Sequence, residues 1–288
     1  MGSSRMNGPD FICVGMPKAG TGWLFDQLQF HPDFWMTPLK GLHYLDRVSP
    51  PMKNAVKKLK RIKKRPERPH RRAGDERDQS FLEEAVSLSG KPRDIRRYAG
   101  LFRFKQDLLS GDITAPYAGL EEDVIAEVAA ILPEVKIVFL VRDPVARAWS
   151  NVSMAYRGER FDRNLLNDTQ AFRSYFLNST MYDFSFPTVI AERWARSAPK
   201  VQFRHFLFDD IENQPEKARG DILNYLGADP DKASGQIAAD HNRKASAVKL
   251  TLTDSIREVL VEHFQEELRA CAKMFGGHAR EWLVRYGL

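Results

Sequence analysis

Cysteine is nearly missing from this sequence. Cys13 and Cys271 are the only two in 288 residues. So distant a pair forms no disulfide framework and no metal-ligand cluster, and no bound metal is expected. Cys13 lies in an apolar run and reads as a small buried thiol. No stretch approaches the roughly 20 uninterrupted apolar residues that span a bilayer. The segment Met1–Asp10 is polar and has no apolar core of the secretory-leader kind, so a cytoplasmic protein is expected. No internal repeat is present. Acidic residues all but vanish between Lys53 and Arg72, where about every second residue is Lys or Arg and Glu67 is the only acid.

What is present describes a globular chain. It is 43% hydrophobic and 28% charged, enough for a sizeable core. The net charge is +6 and the isoelectric point close to 9.2, which favours anionic partners. Nucleotides, sulfated or phosphorylated substrates, acidic carrier proteins and membrane surfaces all qualify. A nucleic-acid partner is not expected, because only the basic run would support one and no binding motif accompanies it.

Strands and helices alternate. Phe11–Val14 is a buried-strand pattern that ends in Gly15, and Thr21–Phe30 is an amphipathic helix pattern stopped by His31-Pro32. Phe34–Met36 reads as a second short strand. Lys53–Arg65 is a basic helix pattern, broken by the Pro- and Arg-rich loop of Pro66–Arg72. Asp123–Leu132 is a helix. Lys136–Val141 is the clearest strand, continuous in apolar and β-branched residues as a strand covered on both faces should be. Asp143 and Pro144 suit the N-cap and first position of a helix running to about Tyr156. Val201–Phe208 reads as a strand, Pro215–Leu226 as a helix stopped by Gly227, and Leu252–Phe275 as a long amphipathic helix. This alternation predicts an α/β fold with a mainly parallel sheet.

Two segments carry chemistry. Gly15-Met-Pro-Lys-Ala-Gly-Thr-Gly-Trp23 joins a strand to a helix, where backbone N–H groups and the positive helix end converge on one point. Gly20 permits close approach, Lys18 adds charge and Thr21 a hydroxyl. This is not a Walker A sequence, because Lys18 precedes Gly20 and Thr21 instead of following the last glycine. The second segment, Arg142-Asp-Pro-Val-Ala-Arg-Ala-Trp-Ser150, follows the strongest strand. Arg142 falls at the carboxyl end of that strand, where open α/β sheets bind ligands, and its fork suits a phosphate. Ser150 lies about two turns further on and offers another donor.

Pro17-Lys18-Ala19-Gly20-Thr21-Gly22-Trp23-Leu24 resembles the 5′-phosphosulfate loop of the sulfotransferase family, P-K-x-G-T-T-x-L, with Gly22 in place of the second threonine. Arg142–Ser150 resembles that family's 3′-phosphate motif, with Arg142 and Ser150 at the phosphate-binding positions. Gly111–Tyr117, Phe208–Gly227 and Asn242-Arg243-Lys244 resemble further family segments. The likeness runs from Phe11 to Trp282 and is weak from about Lys53 to Leu109. It implies one sulfotransferase domain over residues 1–288, with a variable basic insertion at about 50–75. The implied fold is a three-layer α/β/α, P-loop NTPase-like fold around a central parallel sheet. The donor implied is 3′-phosphoadenosine 5′-phosphosulfate (PAPS), leaving 3′-phosphoadenosine 5′-phosphate (PAP), with no metal. Residues 17–23, Arg142, Ser150, Arg243 and Lys244 would hold the nucleotide.

Sulfonate transfer needs a base for the acceptor's proton, stabilisation of the leaving oxygen and alignment of the reactants. Lys18 is the candidate for the leaving oxygen. Lys40-Gly41-Leu42-His43-Tyr44-Leu45 resembles K-E-x-H-[FY]-F of carbohydrate-acting, Golgi-type members, where the Glu is the base. Here that position is Gly41. His43 is then the candidate base, against a purely structural role, and Asp112 the carboxylate that would either orient it or replace the missing Glu. Lys40 either contacts the sulfonate or is solvated. The acceptor, a glycan, lipid or small molecule, is not identified. The basic segment Lys53–Arg72 is either a solvated charge run or a contact for an acidic partner or anionic membrane. The aromatics Tyr175, Phe176, Tyr182, Phe184 and Phe186 line an acceptor pocket or belong to the core. Competing readings are a degenerate module that binds PAPS or PAP without turnover, favoured by Gly22 and Gly41, and a nucleotide kinase, opposed by the misplaced lysine.

Overall fold

The computed structural model describes residues 8–62, 75–180, 182–232, 237–242 and 250–288. Among the described residues four strands form one wholly parallel sheet: β1 (Phe11–Gly15), β2 (Gly111–Ile113), β3 (Lys136–Val141) and β4 (Gln202–Leu207), in the order β2-β1-β3-β4. The two central strands are the continuous apolar runs. Every residue of β1 is buried, and in β3 only Lys136 is partly exposed. The edges differ: β2 has three residues, and β4 alternates exposed with covered positions, as a strand flanked on one side only should.

Helices flank this sheet. They are α1 (Thr21–Gln29), α2 (Lys53–Ile62), α3 (Glu76–Ser87), α4 (Ile95–Gly100), α5 (Glu122–Ile131), α6 (Pro144–Arg157), α7 (Thr169–Leu177), α8 (Pro187–Ser197), α9 (Phe208–Asn213), α10 (Pro215–Leu226), α11 (Asp254–Phe275) and α12 (His278–Tyr286). The long α11 packs on α6, α7, α8 and α12, and one apolar core runs from Phe11 to Trp282. Among the described residues no helix is long and apolar enough to cross a membrane.

Helix ends follow local chemistry. Asp143 caps α6 by accepting from Val145 and Ala146 N–H at 2.8 and 3.3 Å. Gly227 ends α10 in a left-handed conformation. The expected strand at Phe34–Met36 does not form. Phe34 makes one isolated parallel bridge to Leu109, because Pro32 and Pro38 confine the segment to a few residues beside the sheet. The basic helix runs from Lys53 to Ile62 as α2, and the loop expected at Pro66–Arg72 lies outside the described residues.

The strand order places the site. β1 and β3 are neighbours in the sheet, yet the chain leaves β1 toward β2 on one side before reaching β3 on the other. Ligand crevices open beyond the carboxyl ends of strands at such a reversal. Gly15 ends β1 there, and Val141 ends β3 beside it.

Candidate active site

Gly15 has φ +138°, and a Cβ on it would lie 2.8 Å from the Ala115 carbonyl oxygen. Only glycine fits, so the chain turns sharply off β1 into residues 16–20. Gly20, at φ +94°, starts α1, and its Cα faces Phe208 of α9 so closely that a Cβ would meet that ring at 3.0 Å. Between them Lys18 carries φ +75°, an unusual conformation for a residue with a side chain. This strained turn sets Lys18 against the second loop. Its Nζ lies 3.8 Å from Met154 Sδ on α6, and its carbonyl accepts a 2.8 Å bond from Arg142.

Arg142 thus emerges from β3 and clamps the first loop. Its guanidinium also stacks on the Phe208 ring, 4.3 Å from the centroid. It is not paired with Asp143. That carboxylate is taken up by the α6 cap and by the chain's end, with Tyr286 donating at 2.6 Å and Arg285 at 3.1 Å. One N–H of Arg142 is spent on Lys18, which leaves the rest of its fork to an anion. Ser150 is half-buried on α6, two turns on.

Arg147, also in this motif, carries no signal in the sequence that marks it out, yet it packs beneath the first loop. It is 1% exposed. It donates to the Pro17 carbonyl at 3.3 Å and to the Ser185 hydroxyl, and its Nη2 is buried without a partner among the described residues. Burial, and then the neighbouring charge of Arg142, push its pKa down to about 9, still protonated at neutral pH. Two adjacent guanidiniums therefore underlie the loop, an arrangement that repels itself until an anion arrives.

The first loop is completed from elsewhere. Lys40 reaches Thr21 Oγ1 at 3.2 Å, which places this lysine at the start of α1. Pro17 accepts from Arg147 through its carbonyl, and Ala19 is wholly buried. A Cβ on Gly22 would meet nothing within 4 Å, so the missing threonine leaves open space beside the loop. Trp23 turns outward and donates its indole N–H to the Ala239 carbonyl at 2.6 Å, while Gln27 donates to Ala238 at 2.9 Å. On α6, Trp149 likewise donates to the Leu250 carbonyl at 3.0 Å. Arg243 and Lys244 lie outside the described residues. Their described flanks are fastened to the two helices that start at the two loops.

The segment Lys40–Leu45 is held from β2 and the turn after it. Leu42 N–H donates to Thr114 Oγ1 at 2.9 Å and to Asp112 Oδ1 at 3.4 Å. Tyr44 and Leu45 N–H both donate to the Tyr117 hydroxyl, at 3.0 and 3.2 Å. Asp112 is 1% exposed and also accepts from Thr114 and Tyr98. Burial raises its pKa, against those hydrogen bonds. The expectation that Asp112 orients His43 or stands in for the missing Glu meets a different geometry, since Asp112 sits beneath the loop and braces Leu42. His43 is bonded instead through Nδ1 to Asp46 Oδ2 at 2.9 Å. The signal was in the sequence, as an acid three residues after the histidine.

The aromatics Phe176, Tyr182 and Phe186 pack on one another and on His263 and Phe264 of α11, while Tyr175 packs on Phe161. They are core and its margin. Phe184 covers Gly119. The helix α2 buries Ala55 and exposes Lys53, Lys57 and Lys60. Among the described residues no group of His, Cys, Asp and Glu could hold a metal ion.

The fold and these loops define an open-sheet α/β protein with two facing cationic loops at its switch point. The chain belongs to the sulfotransferase family, whose sequence profile matches residues 9–232. No curated protein matches it in sequence. In fold it is similar to the sulfotransferase from Alicyclobacillus acidocaldarius, with a TM-score of 0.65 and 19% identity over 97% of this chain and 99% of that one. It is also similar to the sulfotransferase domain of the olefin synthase of Synechococcus PCC 7002, with a TM-score of 0.51 and 15% identity over 92% and 98%. The sulfotransferase domain from the curacin biosynthetic pathway gives a TM-score of 0.50 and 14% identity over 90% and 98%.

Proposed function

We propose that the chain transfers the sulfonate of PAPS to a hydroxyl or amine of a carbohydrate, lipid or small metabolite, in the cytoplasm and without a metal. The observation that carries this reading is the 2.8 Å bond from Arg142 to the Lys18 carbonyl, which locks the two cationic loops side by side at the carboxyl ends of β1 and β3. One loop suits a 5′-phosphosulfate and the other a 3′-phosphate, the group that ADP and ATP lack. The unpartnered Arg147 nitrogen and the open space beside Gly22 fit an anion there.

In this reading the nucleotide lies over residues 17–23, with its 3′-phosphate on Arg142 and Ser150 and with Arg243 and Lys244 contributing from the segment fastened by Trp23 and Trp149. Lys18 and Lys40 neutralise charge that builds on the leaving oxygen. His43 receives the acceptor's proton. The match of Lys40–Leu45 to the carbohydrate-acting, Golgi-type branch supports a sugar hydroxyl as acceptor.

Calorimetric titration with PAP, ADP and ATP–Mg²⁺ tests the donor. Preference for PAP is expected. Preference for ATP–Mg²⁺ would favour a kinase. Binding of PAP without any sulfonate transfer across an acceptor screen would favour the degenerate module.

A further inference from the structure

We infer that Asp46 is the positioning residue for His43, holding the imidazole so that Nε2 is the proton acceptor where Gly41 replaces the carboxylate of the carbohydrate-acting motif. The inference rests on the transferase reading above and adds to it the group that holds the base.

Three observations carry it. First, the loop fixes the ring by its backbone. Leu42 on one side of His43, and Tyr44 and Leu45 on the other, are tied to Thr114 and Tyr117, and His43 itself has φ +52°. A non-glycine residue in that conformation persists only when its surroundings over-determine it. Secondly, the 2.9 Å bond to Asp46 leaves one tautomer. Nδ1 must carry the proton, so Nε2 presents its lone pair. The other oxygen, Asp46 Oδ1, is buried with no partner among the described residues, so the carboxylate's charge is directed at the imidazole. Thirdly, Nε2 opens toward position 41. A Cβ on Gly41 would stand 3.5 Å from Nε2 and from Cδ2. That is ordinary van der Waals contact, so position 41 borders the nitrogen that is to work. Gly41, at φ +79°, thus leaves no side chain beside Nε2 where the resembled motif carries a carboxylate.

The charged groups that act on the ring are Asp46 and Arg47 from its own turn and, at longer range and without a bond to it, Asp112 from β2. Two are acids, and the bonded acid dominates, so imidazolium is favoured over an ordinary histidine. The side chain is 38% exposed, so a substrate has access.

The chemical step balances. The acceptor's lone pair forms the new bond to sulfur as its O–H or N–H proton passes to Nε2. The bond between sulfur and the bridging oxygen breaks, and PAP leaves with that electron pair. The imidazolium, held by Asp46, releases its proton to solvent afterwards.

The test uses the full-length chain labelled with ¹⁵N in histidine. Long-range ¹H–¹⁵N spectra give the tautomer and titration of His43 in the wild type, with His43→Ala used for assignment. The expected wild type has the proton on Nδ1 and titrates above the usual 6.5 of histidine. In Asp46→Asn the tautomer preference is expected to disappear and the titration to move down. Release of PAP from PAPS, with water as the probe acceptor, is followed against pH alongside. Neutral His43 is the active form, so the acid limb of that profile should move to lower pH in Asp46→Asn while its plateau falls roughly tenfold or more. Asp46→Glu should restore part of the plateau, and PAP affinity should stay within about twofold throughout. A wild-type His43 protonated on Nε2, or a titration and tautomer unmoved in Asp46→Asn, would overturn the pairing. So would a full plateau rate in His43→Ala. The spectra do not depend on the donor. A His43–Asp46 pair seen by resonance together with no PAP binding would therefore count against the transferase reading and leave the pairing standing.

Discussion

Arg142 does two things at once: it holds the Lys18 carbonyl and offers the remainder of its fork at the end of β3. Hydrogen bonds to charged groups contribute about 1.5–3 kcal/mol each, so Arg142→Ala should weaken PAP binding on the order of 10- to 100-fold. ADP, which has no 3′-phosphate, should lose much less. Equal losses in paired titrations would make Arg142 only a clamp on the loop. Gly22 points the other way. Its Cβ position is empty space and it lies in the first turn of α1, so Gly22→Thr adds a hydroxyl and removes a helix-weakening glycine. Its melting temperature should hold or rise, and its PAP affinity should increase a few-fold. A fall in both would mean that the loop needs the bare backbone there. Neither residue's behaviour follows from its type alone. The motif made Arg142 a candidate anion ligand, but its bond to Lys18 crosses 124 positions of sequence and no local pattern encodes it.

Among the elements, α6 couples the site to the end of the chain. Its cap, Asp143, is also the acceptor for Tyr286 and Arg285 of the α12 region, and Arg285 continues to Asp209 at the start of α9. Burial raises the pKa of Asp143 against these bonds. The folded state therefore binds its proton more tightly than the unfolded state does. Its linkage contribution is greatest below the ordinary carboxylate range and declines as pH rises through the raised value. Asp143→Asn keeps a cap and removes the titration. The stability of the wild type relative to Asp143→Asn should thus fall as pH rises across that window, in denaturant titrations at a series of pH values. An advantage that grows with pH would show that Arg285 and Tyr286 outweigh the burial. The capping was legible from Asp143-Pro144, whereas the partners at 285 and 286 were not, because they come from a helix docked through α11.

On the scale of the molecule, the positive charge, the buried Arg147 and the half-buried Arg142 make one field. Arg142 and Arg147 lie in contact with the same loop, and the net charge is +6. Screening lengths shrink from about 30 Å at 0.01 M salt to about 10 Å at 0.1 M, so PAP association should slow with salt. Dissociation should change less, because the contacts are partly buried. Stopped-flow rates at several ionic strengths would check this, and a salt effect confined to dissociation would contradict it. Arg147→Met, which swaps the buried cation for a chain of similar size, is expected to weaken PAP binding and to blunt that salt dependence. It also leaves the Pro17 carbonyl and Ser185 hydroxyl without their donor, a cost of about 1–3 kcal/mol in stability.

The sequence by itself determined the class of fold, since apolar runs such as Lys136–Val141 can be satisfied only by a sheet covered on both faces. It also marked both cationic loops, because a glycine turn between strand and helix, or an arginine at a strand's end, is a local matter of backbone geometry and spacing. The Phe34–Met36 segment shows the limit of such patterns. Its side chains are buried as a strand's would be, yet flanking prolines and the lack of a paired neighbour leave a single bridge. Tertiary structure alone decided who partners whom. It bonded Asp112 to Leu42 instead of to His43, gave His43 to Asp46, brought Lys40 to Thr21, and packed the aromatic cluster against the core. The physical reason is the same in each case. Hydrogen bonds and ion pairs form between whatever groups the packed sheet and helices bring within about 3 Å, and that proximity is a property of the whole fold.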